Sequence, residues 1–278
     1  MKQHKLALLL AATLSSSVVM ADPLTVTEGA YYGGTSDDDL VTVGKSDINA
    51  GTVHVSGRAG FGVNSTGLNT QVDFQGLSGY SSSSNANVDW NKDNTVDGTH
   101  TVYQFSSPYS GPVEDHDSLG VFTFAKIGSD DVWIGEWSSK GDVTDGSHTV
   151  YYFGKDYDSD LAAAPAAATY NVIGINNYSS ASGGNALSGQ LSANFTAGQL
   201  TGSISNGSLN INVGLATINA DATITGSTAI ASNSSGLLAT GGNVNGRFYN
   251  TFEDVAGVVR FGTSNSQYDT AFGGSVSP

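Results

Sequence analysis

The chain has no cysteine among its 278 residues. No disulfide can therefore staple the fold, and no thiolate can bind a metal or act as a nucleophile. A lipid anchor of the kind attached to an N-terminal cysteine is excluded for the same reason. Methionine is almost as scarce, because Met1 and Met20 are the two that the chain contains.

Long apolar runs are also missing. The run from Leu6 to Leu14 is too short to cross a bilayer, which takes about 20 apolar residues. Two lysines precede this run and the small-residue site Val19-Met20-Ala21 follows it, which is the pattern of a secretory signal peptide over residues 1–21. We expect the mature protein to begin at Asp22, to be secreted, and to have no membrane anchor.

Basic residues are few. The chain has 10 Lys and Arg residues against 25 Asp and Glu residues, a formal net charge of −15, and loss of Lys2 and Lys5 with the signal peptide makes it −17. Binding to nucleic acid or to anionic lipid requires basic patches, so neither is expected. The acidity is expected to maintain solubility, with a basic partner surface as the alternative.

The abundant residues are small and polar, with 36 glycines in the chain. Such a composition favours strands and tight turns over helices. The clearest seam is Leu161–Ala168, which is small, apolar and without alternation. It predicts a linker between an N-terminal domain (22–165) and a C-terminal domain (166–278), with an internal loop of one domain as the alternative.

Apolar and polar residues alternate regularly in the C-terminal domain. The segment 187–195, for example, places Leu187, Leu191 and Phe195 on one face. Eight strands are predicted, at 170–176, 187–195, 199–204, 208–213, 220–225, 244–249, 257–261 and 268–272. Short turns between most of them favour an eight-stranded antiparallel β-barrel. Residues 229–242 are predicted to be a loop or a poor helical turn.

The N-terminal half is less regular but also reads as β. Strands are predicted at 50–58, 71–74, 99–105, 119–126, 132–137 and 149–153. A faint repeat relates Asp97–Tyr103 to Asp145–Tyr151, where a glycine turn leads into a strand that starts with histidine. Two copies are too few for a solenoid and indicate similar hairpins packed together. The predicted fold class is therefore all-β.

Several segments resemble a known family. Residues 169–274 are similar to the C-terminal β-barrel of hemophilin-type hemophores and of related surface proteins exported with a surface lipoprotein assembly modulator. Transferrin-binding lipoproteins end their barrels in a similar way. The segments with this resemblance are 169–178, 187–195, 246–249 and 269–274 in the barrel, and 132–137 and 149–154 before it.

The resemblance implies an N-terminal clamp-like domain that holds heme, followed by a barrel that the export partner recognises. The implied function is that of a secreted hemophore, which binds heme outside the cell and delivers it to an outer-membrane TonB-dependent receptor for iron acquisition. The absence of an anchoring cysteine agrees with release from the cell. The alternative is a secreted or surface protein of the same export family that binds a host protein or glycan.

Heme needs an axial ligand for its iron, an apolar slot for its ring, and partners for its propionates. Because the mature chain has neither cysteine nor methionine, His and Tyr are the axial ligands that remain. The mature chain contains four histidines, and all lie in the N-terminal half: His54, His100, His116 and His148.

His116 is the first candidate ligand. It lies in a loop, 112–118, between two aromatic strands, and loops on rigid scaffolds often carry function. Asp115 or Asp117 is placed to orient its ring through the second nitrogen. The alternative is an ordinary solvated histidine.

His54 is the second candidate for the heme iron. It lies in the predicted strand 52–56, on the face opposite Val53 and Val55, and its alternative is a polar, outward position. His100 and His148 occupy equivalent places in the faint repeat, where turn chemistry alone would explain them. Spacing does not decide which of the four histidines pair.

Aromatic residues for the heme slot are plentiful, although most are expected to form core. They are Tyr103, Phe105, Tyr109, Phe122, Phe124, Trp133 and Trp137. Cations for the propionates are scarce, and the candidates are Lys45, Arg58 and Lys126.

Motifs for catalysis or calcium binding are weak. The segment 156–160 begins like an EF-hand loop, but the required glycine and final acid are replaced by Leu161 and Ala167. Glu136 lies between two tryptophans, yet no second acid stands out as the partner that a glycosidase needs. We therefore expect a binding protein rather than an enzyme.

Overall fold

The computed structural model describes residues 30–49, 54–64, 71–80, 89–92, 99–106, 120–144, 146–179 and 184–278. Their regular secondary structure is almost entirely β-strand, so the all-β prediction is confirmed. The predicted signal peptide and His116 lie outside the described residues. Within the described ranges, no helix has the length and apolar composition needed to cross a bilayer.

The N-terminal half contains a six-stranded antiparallel sheet in the order β1-β9-β8-β7-β6-β5. This sheet is open, with β1 and β5 at its edges. Its strands are β1 (Tyr31–Thr35), β5 (Asp89–Lys92), β6 (Val102–Ser106), β7 (Val121–Ile127), β8 (Val132–Ser138) and β9 (Thr149–Lys155).

A smaller layer packs on one face of this sheet. It is a three-stranded antiparallel sheet of β2 (Val41–Lys45), β3 (Ala59–Val63) and β4 (Val72–Asp73), followed by the helix α1 (Phe74–Tyr80). An aromatic core fills the space between the two layers. Its main members are Phe61, Phe74, Phe122, Phe124, Trp133, Trp137, Tyr151 and Phe153.

The C-terminal half is a closed antiparallel barrel with eight strand positions, as predicted. Its strands are β10 (Ala167–Ile175), β11 (Leu187–Asn194), β12 (Gln199–Ser205), β13 (Asn210–Asn212), β14 (Ala216–Ile218), β15 (Thr223–Asn233), β16 (Gly236–Tyr249), β17 (Asp254–Arg260) and β18 (Thr270–Val276). β13 and β14 share one position, because both pair with β12 on one side and β15 on the other. Pairing of β11 with β12 closes the barrel.

Alternating side chains fill the barrel interior. Along β11, Leu187, Leu191 and Ala193 are buried, while Ser188, Gln190 and Ser192 face outward. Aromatic rings occupy one region of this interior, where Phe195, Phe248 and Phe252 contact one another with centroids 4.9–5.6 Å apart. Closure leaves no unpaired sheet edge, which suits a wall built of so many short strands.

The open sheet packs its other face against the barrel wall. Strand β8 shows the division, since Trp133 and Trp137 enter the aromatic core while Val132 and Ile134 face the barrel. A buried apolar cluster joins the two halves. Its barrel members include Ile173, Ile175, Tyr249, Ala256, Val258 and Ala271.

Two residues of the closing segment 246–249 also hold the N-terminal half. The Arg247 guanidinium lies between the rings of Tyr32 and Tyr157, 4.3 and 4.2 Å from their centroids. Its Nε donates to the carbonyl of Asp158 at 2.9 Å. The hydroxyl of Tyr249 donates to the carbonyl of Tyr32 at 2.9 Å. Part of the sequence signature that carries the family resemblance therefore fixes how the two halves meet.

The alanine-rich segment 161–168 runs between β9 and the first residues of β10. Leu161, Ala164 and Ala168 pack against the barrel core. The predicted boundary between residues 165 and 166 falls within this segment.

The predicted loop over residues 229–242 is wrong. These residues lie in the long hairpin of β15 and β16. Ala229, Ala231 and Ala239 face the interior, whereas Ile230 and Leu237 face outward and are 38% and 65% exposed. These strands therefore place alanines inside and two large apolar residues, Ile230 and Leu237, outside, which obscures the alternation in the sequence.

Two N-terminal strand predictions also need correction. Of the strand predicted at 50–58, residues 54–58 are described, and the chain turns through Gly57 (φ 88°) before β3 begins at Ala59. The strand predicted at 71–74 ends at Asp73, directly before α1 begins at Phe74. In the barrel, the strand predicted at 268–272 begins at Thr270, after a short 3-10 helix (Ser266–Tyr268).

Candidate functional site

His54 is buried, contrary to the outward alternative, and lies beside a carboxylate. Its side chain is 1% exposed, and Nδ1 is 2.7 Å from Oδ2 of Asp73. Asp73 is itself fully buried. The same Oδ2 accepts the backbone N–H of Val55 at 3.3 Å. A buried polar pair of this kind is stable because each group meets the hydrogen-bonding needs of the other.

Asp73 occupies the junction of β4 and α1. Its Oδ1 accepts the backbone N–H of Gly76 at 2.5 Å, which is the contact of an N-cap residue with the third residue of a helix. The carboxylate therefore starts the helix with one oxygen and holds His54 with the other. Gly76 is required for this approach, since a Cβ there would meet Nδ1 of His54 and both oxygens of Asp73.

One of the predicted cations lies at this pair. Arg58 Nη1 is 3.9 Å from Oδ1 of Asp73, and the Arg58 side chain is 26% exposed. Lys45 pairs with Ala59, the neighbour of Arg58, and its ammonium lies 5.0 Å from the ring centre of Tyr31. Arg58 is therefore beside the His54–Asp73 pair, and Lys45 lies over the ring of Tyr31.

The third predicted cation is elsewhere. Lys126 is half-buried and donates to the carbonyl of Ser129 in the turn between β7 and β8.

The predicted aromatic residues pack with one another beside the pair. Phe74, the first residue of α1, stacks on Phe61 and Trp133 with centroids 5.1 and 5.4 Å away. Tyr103 and Phe105 are partly buried against the same core. Tyr109 lies outside the described residues. The aromatic core therefore forms a rigid apolar wall behind the helix that carries Asp73.

His54 and His100 lie toward the same end of the N-terminal half. Asp73, the last residue of β4, lies beside the start of β3. The first residue of β3, Ala59, donates its backbone N–H to Asp131 at 2.7 Å. Asp131 directly precedes β8. His100 is buried and lies just before β6, which begins level with β8 because both strands run antiparallel to β7.

His148 lies at the opposite end of the sheet. It precedes β9, whose first residue, Thr149, pairs with Trp137 near the end of β8. The two histidines of the faint repeat are therefore not brought together.

His148 belongs to a buried polar cluster between the two halves. Its Nε2 is 2.9 Å from Oε2 of Glu136, and its Nδ1 is 2.8 Å from the carbonyl of Ser266 in the barrel. Glu136 also accepts the backbone N–H groups of Asn177 and Tyr178, both at 2.7 Å. We call these five residues the interface cluster. Since protein atoms engage both ring nitrogens, His148 is not used in the site proposed below.

The surroundings of His148 favour its protonated form. Burial acts to lower the pKa of His148, but the hydrogen bond and charge of Glu136, with the Ser266 carbonyl and the charge of Asp269, raise it overall. Burial raises the pKa of Asp269 itself to about 6, against the opposing effects of the Phe261 N–H and the charge of His148. The net result is a raised pKa for His148, which favours its imidazolium form.

The donors around His54 fit heme. An imidazole whose Nδ1 contacts a carboxylate is the usual arrangement of a metal-binding histidine, in which Nε2 serves as the ligand. Arg58 supplies a partly exposed cation, and the aromatic core supplies a rigid apolar support. The sequence analysis named His54 and Arg58 as candidates, and it named neither Asp73 nor Gly76. Asp73 could have been recognised as an acidic residue directly before a helix. The helix itself is hard to predict, because it contains glycines at positions 76 and 79.

Family models match both halves of the chain. A model described as the HphA N-terminal heme-binding domain matches residues 25–149, and one described as the HphA C-terminal domain matches residues 161–276.

Two solved structures of HpuA share the fold. HpuA from Kingella denitrificans, in complex with human haemoglobin, is 17% identical with a TM-score of 0.55, over 91% of this chain and 89% of that chain. The apo structure of the same haemoglobin receptor is 16% identical over the same shares, with a TM-score of 0.51. Transferrin binding protein B from Neisseria meningitidis covers 57% of this chain and 34% of its own, at 16% identity and a TM-score of 0.37.

Proposed function

We propose a function from the premise that this chain belongs to the HphA family and that its N-terminal half is the heme-binding domain of that family. Heme is the bound cargo. The proposed function is that of a secreted hemophore, which binds heme outside the cell and passes it to an outer-membrane receptor for iron acquisition.

The observation that supports a site within this domain is the buried pair of His54 and Asp73 beside Arg58. Bound heme supplies an iron that accepts a nitrogen ligand. We propose that His54 presents Nε2 to that iron, while Arg58 and Lys45 hold the propionates. His116, outside the described residues, stays the sequence prediction for a second axial ligand.

The remaining parts of the proposal concern export and delivery. Residues 1–21 support secretion through their signal-peptide pattern. The barrel is proposed to meet a surface lipoprotein assembly modulator during export, and the loaded protein to meet a TonB-dependent receptor. The role proposed is binding and release, without catalysis.

Hemin titration of the purified full chain tests the site. We expect a saturable Soret band in the wild type and its loss or strong weakening in His54→Ala. His148→Gln is the matched control, because its parent ring contacts protein atoms through both nitrogens, and it should keep the band. His116→Ala tests the second ligand. Wild-type affinity in His54→Ala would contradict the proposed ligand, and no stoichiometric binding by the wild type would contradict the function.

Host-protein binding is the second candidate, favoured by the fold shared with a haemoglobin-bound HpuA. Pull-down with haemoglobin and with heme-free globin separates the two functions. Capture of both globins by the His54→Ala variant would favour a protein-binding surface. Transfer of heme from haemoglobin without a stable complex would favour the hemophore.

A further inference from the structure

Asp73 is a carboxylate buried at the centre of several contacts. One oxygen contacts Nδ1 of His54 at 2.7 Å and the Val55 amide at 3.3 Å. The other accepts the Gly76 amide at 2.5 Å and lies 3.9 Å from the Arg58 guanidinium. Each oxygen is thus held from two directions, so the carboxylate has little freedom to move away from the histidine.

The backbone reinforces this arrangement. Asp73 and Gly76 belong to the first turn of α1, and Phe74 between them is fully buried in the aromatic core. The three-stranded sheet holds the Asp73 backbone as well, because Asp73 pairs with Gly60 in β3. A side chain anchored on two rigid elements holds its partner in one orientation better than a loop residue would.

The contact also decides the chemistry of the histidine ring. A carboxylate at Nδ1 keeps the ring proton on that nitrogen and leaves Nε2 as the atom with a donor lone pair. Partial negative charge passed through the hydrogen bond makes Nε2 a stronger donor to a metal. A neutral partner at the same place would orient the ring but would add less electron density.

We infer that Asp73 is the positioning residue of the heme site, which fixes the ring of His54 and strengthens its donation to ferric iron. The inference rests on the proposed function, since it takes His54 as the ligand. Arg58 moderates the effect, because its positive charge draws electron density from the same carboxylate. Asp73 therefore favours ferric over ferrous heme, and Arg58 opposes it.

The test compares Asp73→Asn with the wild type as full-length, hemin-loaded proteins. The amide keeps a hydrogen-bond acceptor and nearly the same volume but removes the charge. We expect ferric heme affinity to fall by about 10- to 100-fold and the midpoint potential of the bound heme to become more positive. Glu136→Gln, the same change at the interface cluster, should alter neither property.

Two outcomes separate this inference from the proposed function. If His54→Ala loses heme binding while Asp73→Asn keeps wild-type affinity and potential, the role of Asp73 is contradicted and the ligand stands. If His54→Ala binds hemin normally, the ligand itself is contradicted. Arg58→Gln covers the case in which Asp73→Asn does not fold: its potential should become more negative, and an unchanged or more positive potential would overturn the inference.

Discussion

Two buried histidine–carboxylate pairs lie in different regions of this molecule. His54 and Asp73 are 2.7 Å apart inside the N-terminal domain, and His148 and Glu136 are 2.9 Å apart between that domain and the barrel. In both pairs a ring nitrogen meets an acidic oxygen. The pairs differ in the second ring nitrogen, which at His148 contacts the carbonyl of Ser266 across the interface.

The difference shows that the carboxylate alone does not identify a ligand. The His148 ring contacts Glu136 in the N-terminal half and Ser266 in the barrel, so it joins the two domains. The His54 ring contacts Asp73, a residue of its own domain. The two pairs therefore differ in where their partners come from, which is one domain for His54 and both sides of the domain interface for His148.

The largest expected effect is loss of stability in Glu136→Ala. The substitution leaves His148 and the amides of Asn177 and Tyr178 buried without their acceptor. We expect the free energy of unfolding to fall by about 3–5 kcal/mol, measured by urea denaturation. Hemin affinity of the folded variant should stay at the wild-type value.

Glu136→Gln is the matched control, because it keeps one acceptor oxygen and should lose less stability than Glu136→Ala. A loss below about 1 kcal/mol in the alanine variant, the range of an exposed ion pair, would contradict the role given to the interface cluster. Loss of hemin affinity in the folded alanine variant would remove the distinction between the two histidine pairs.

We expect Gly76→Ala to lower the stability less than Glu136→Ala does, but to lower the affinity for heme directly. The new Cβ would meet Nδ1 of His54 and the Asp73 oxygens at 2.7 and 2.8 Å, so the pair must separate. We expect hemin affinity to fall at least about tenfold, as for other losses of a positioning contact. The free energy of unfolding should fall by about 1–3 kcal/mol, as for overpacked sites. Hemin titration and urea denaturation measure the two effects.

Gly44→Ala controls for adding a methyl group to the same domain. Its Cβ would meet Gln71 at 3.5 Å, an ordinary contact, and hemin affinity should not change. Alanine is a better helix former than glycine by about 1 kcal/mol, so helix propensity would act against the expected loss in Gly76→Ala. Wild-type hemin affinity in that variant would show that the His54–Asp73 contact does not matter for binding.

The sequence predicted the barrel well because each strand has a packed interior on one side and solvent on the other. The spacing of Leu187 and Leu191, for example, predicts such a strand. The rule failed where alanine filled the interior and Ile230 lay outside. Alternation of hydrophobicity reports the barrel only where the larger residue points inward.

The candidate site was harder to predict because its contacts are not local. His54 was open to an outward interpretation, and it is buried because Asp73, 19 positions away, supplies the acceptor. The faint repeat made His100 and His148 look equivalent, whereas the strand order sends them to opposite ends of one sheet. Strands β1 and β2 were not predicted, since they are short and contain glycine.

The smallest expected effect is a pH dependence of the stability that the His148–Glu136 pair contributes. The folded-state pKa of His148 is raised above its usual 6.5, so its stabilisation is complete below that value and is lost as the pH rises through the folded pKa. Asp269, whose pKa is raised to about 6, acts in the same sense at lower pH, since ionising this buried carboxylate costs stability. Urea denaturation between pH 6.5 and 9 therefore isolates the histidine. The stability advantage of the wild type over His148→Gln should shrink across this range, by less than the loss of stability in Glu136→Ala.

An advantage that grew with pH would mean that His148 is buried neutral, and the interface cluster would then resemble the proposed ligand pair in its chemistry.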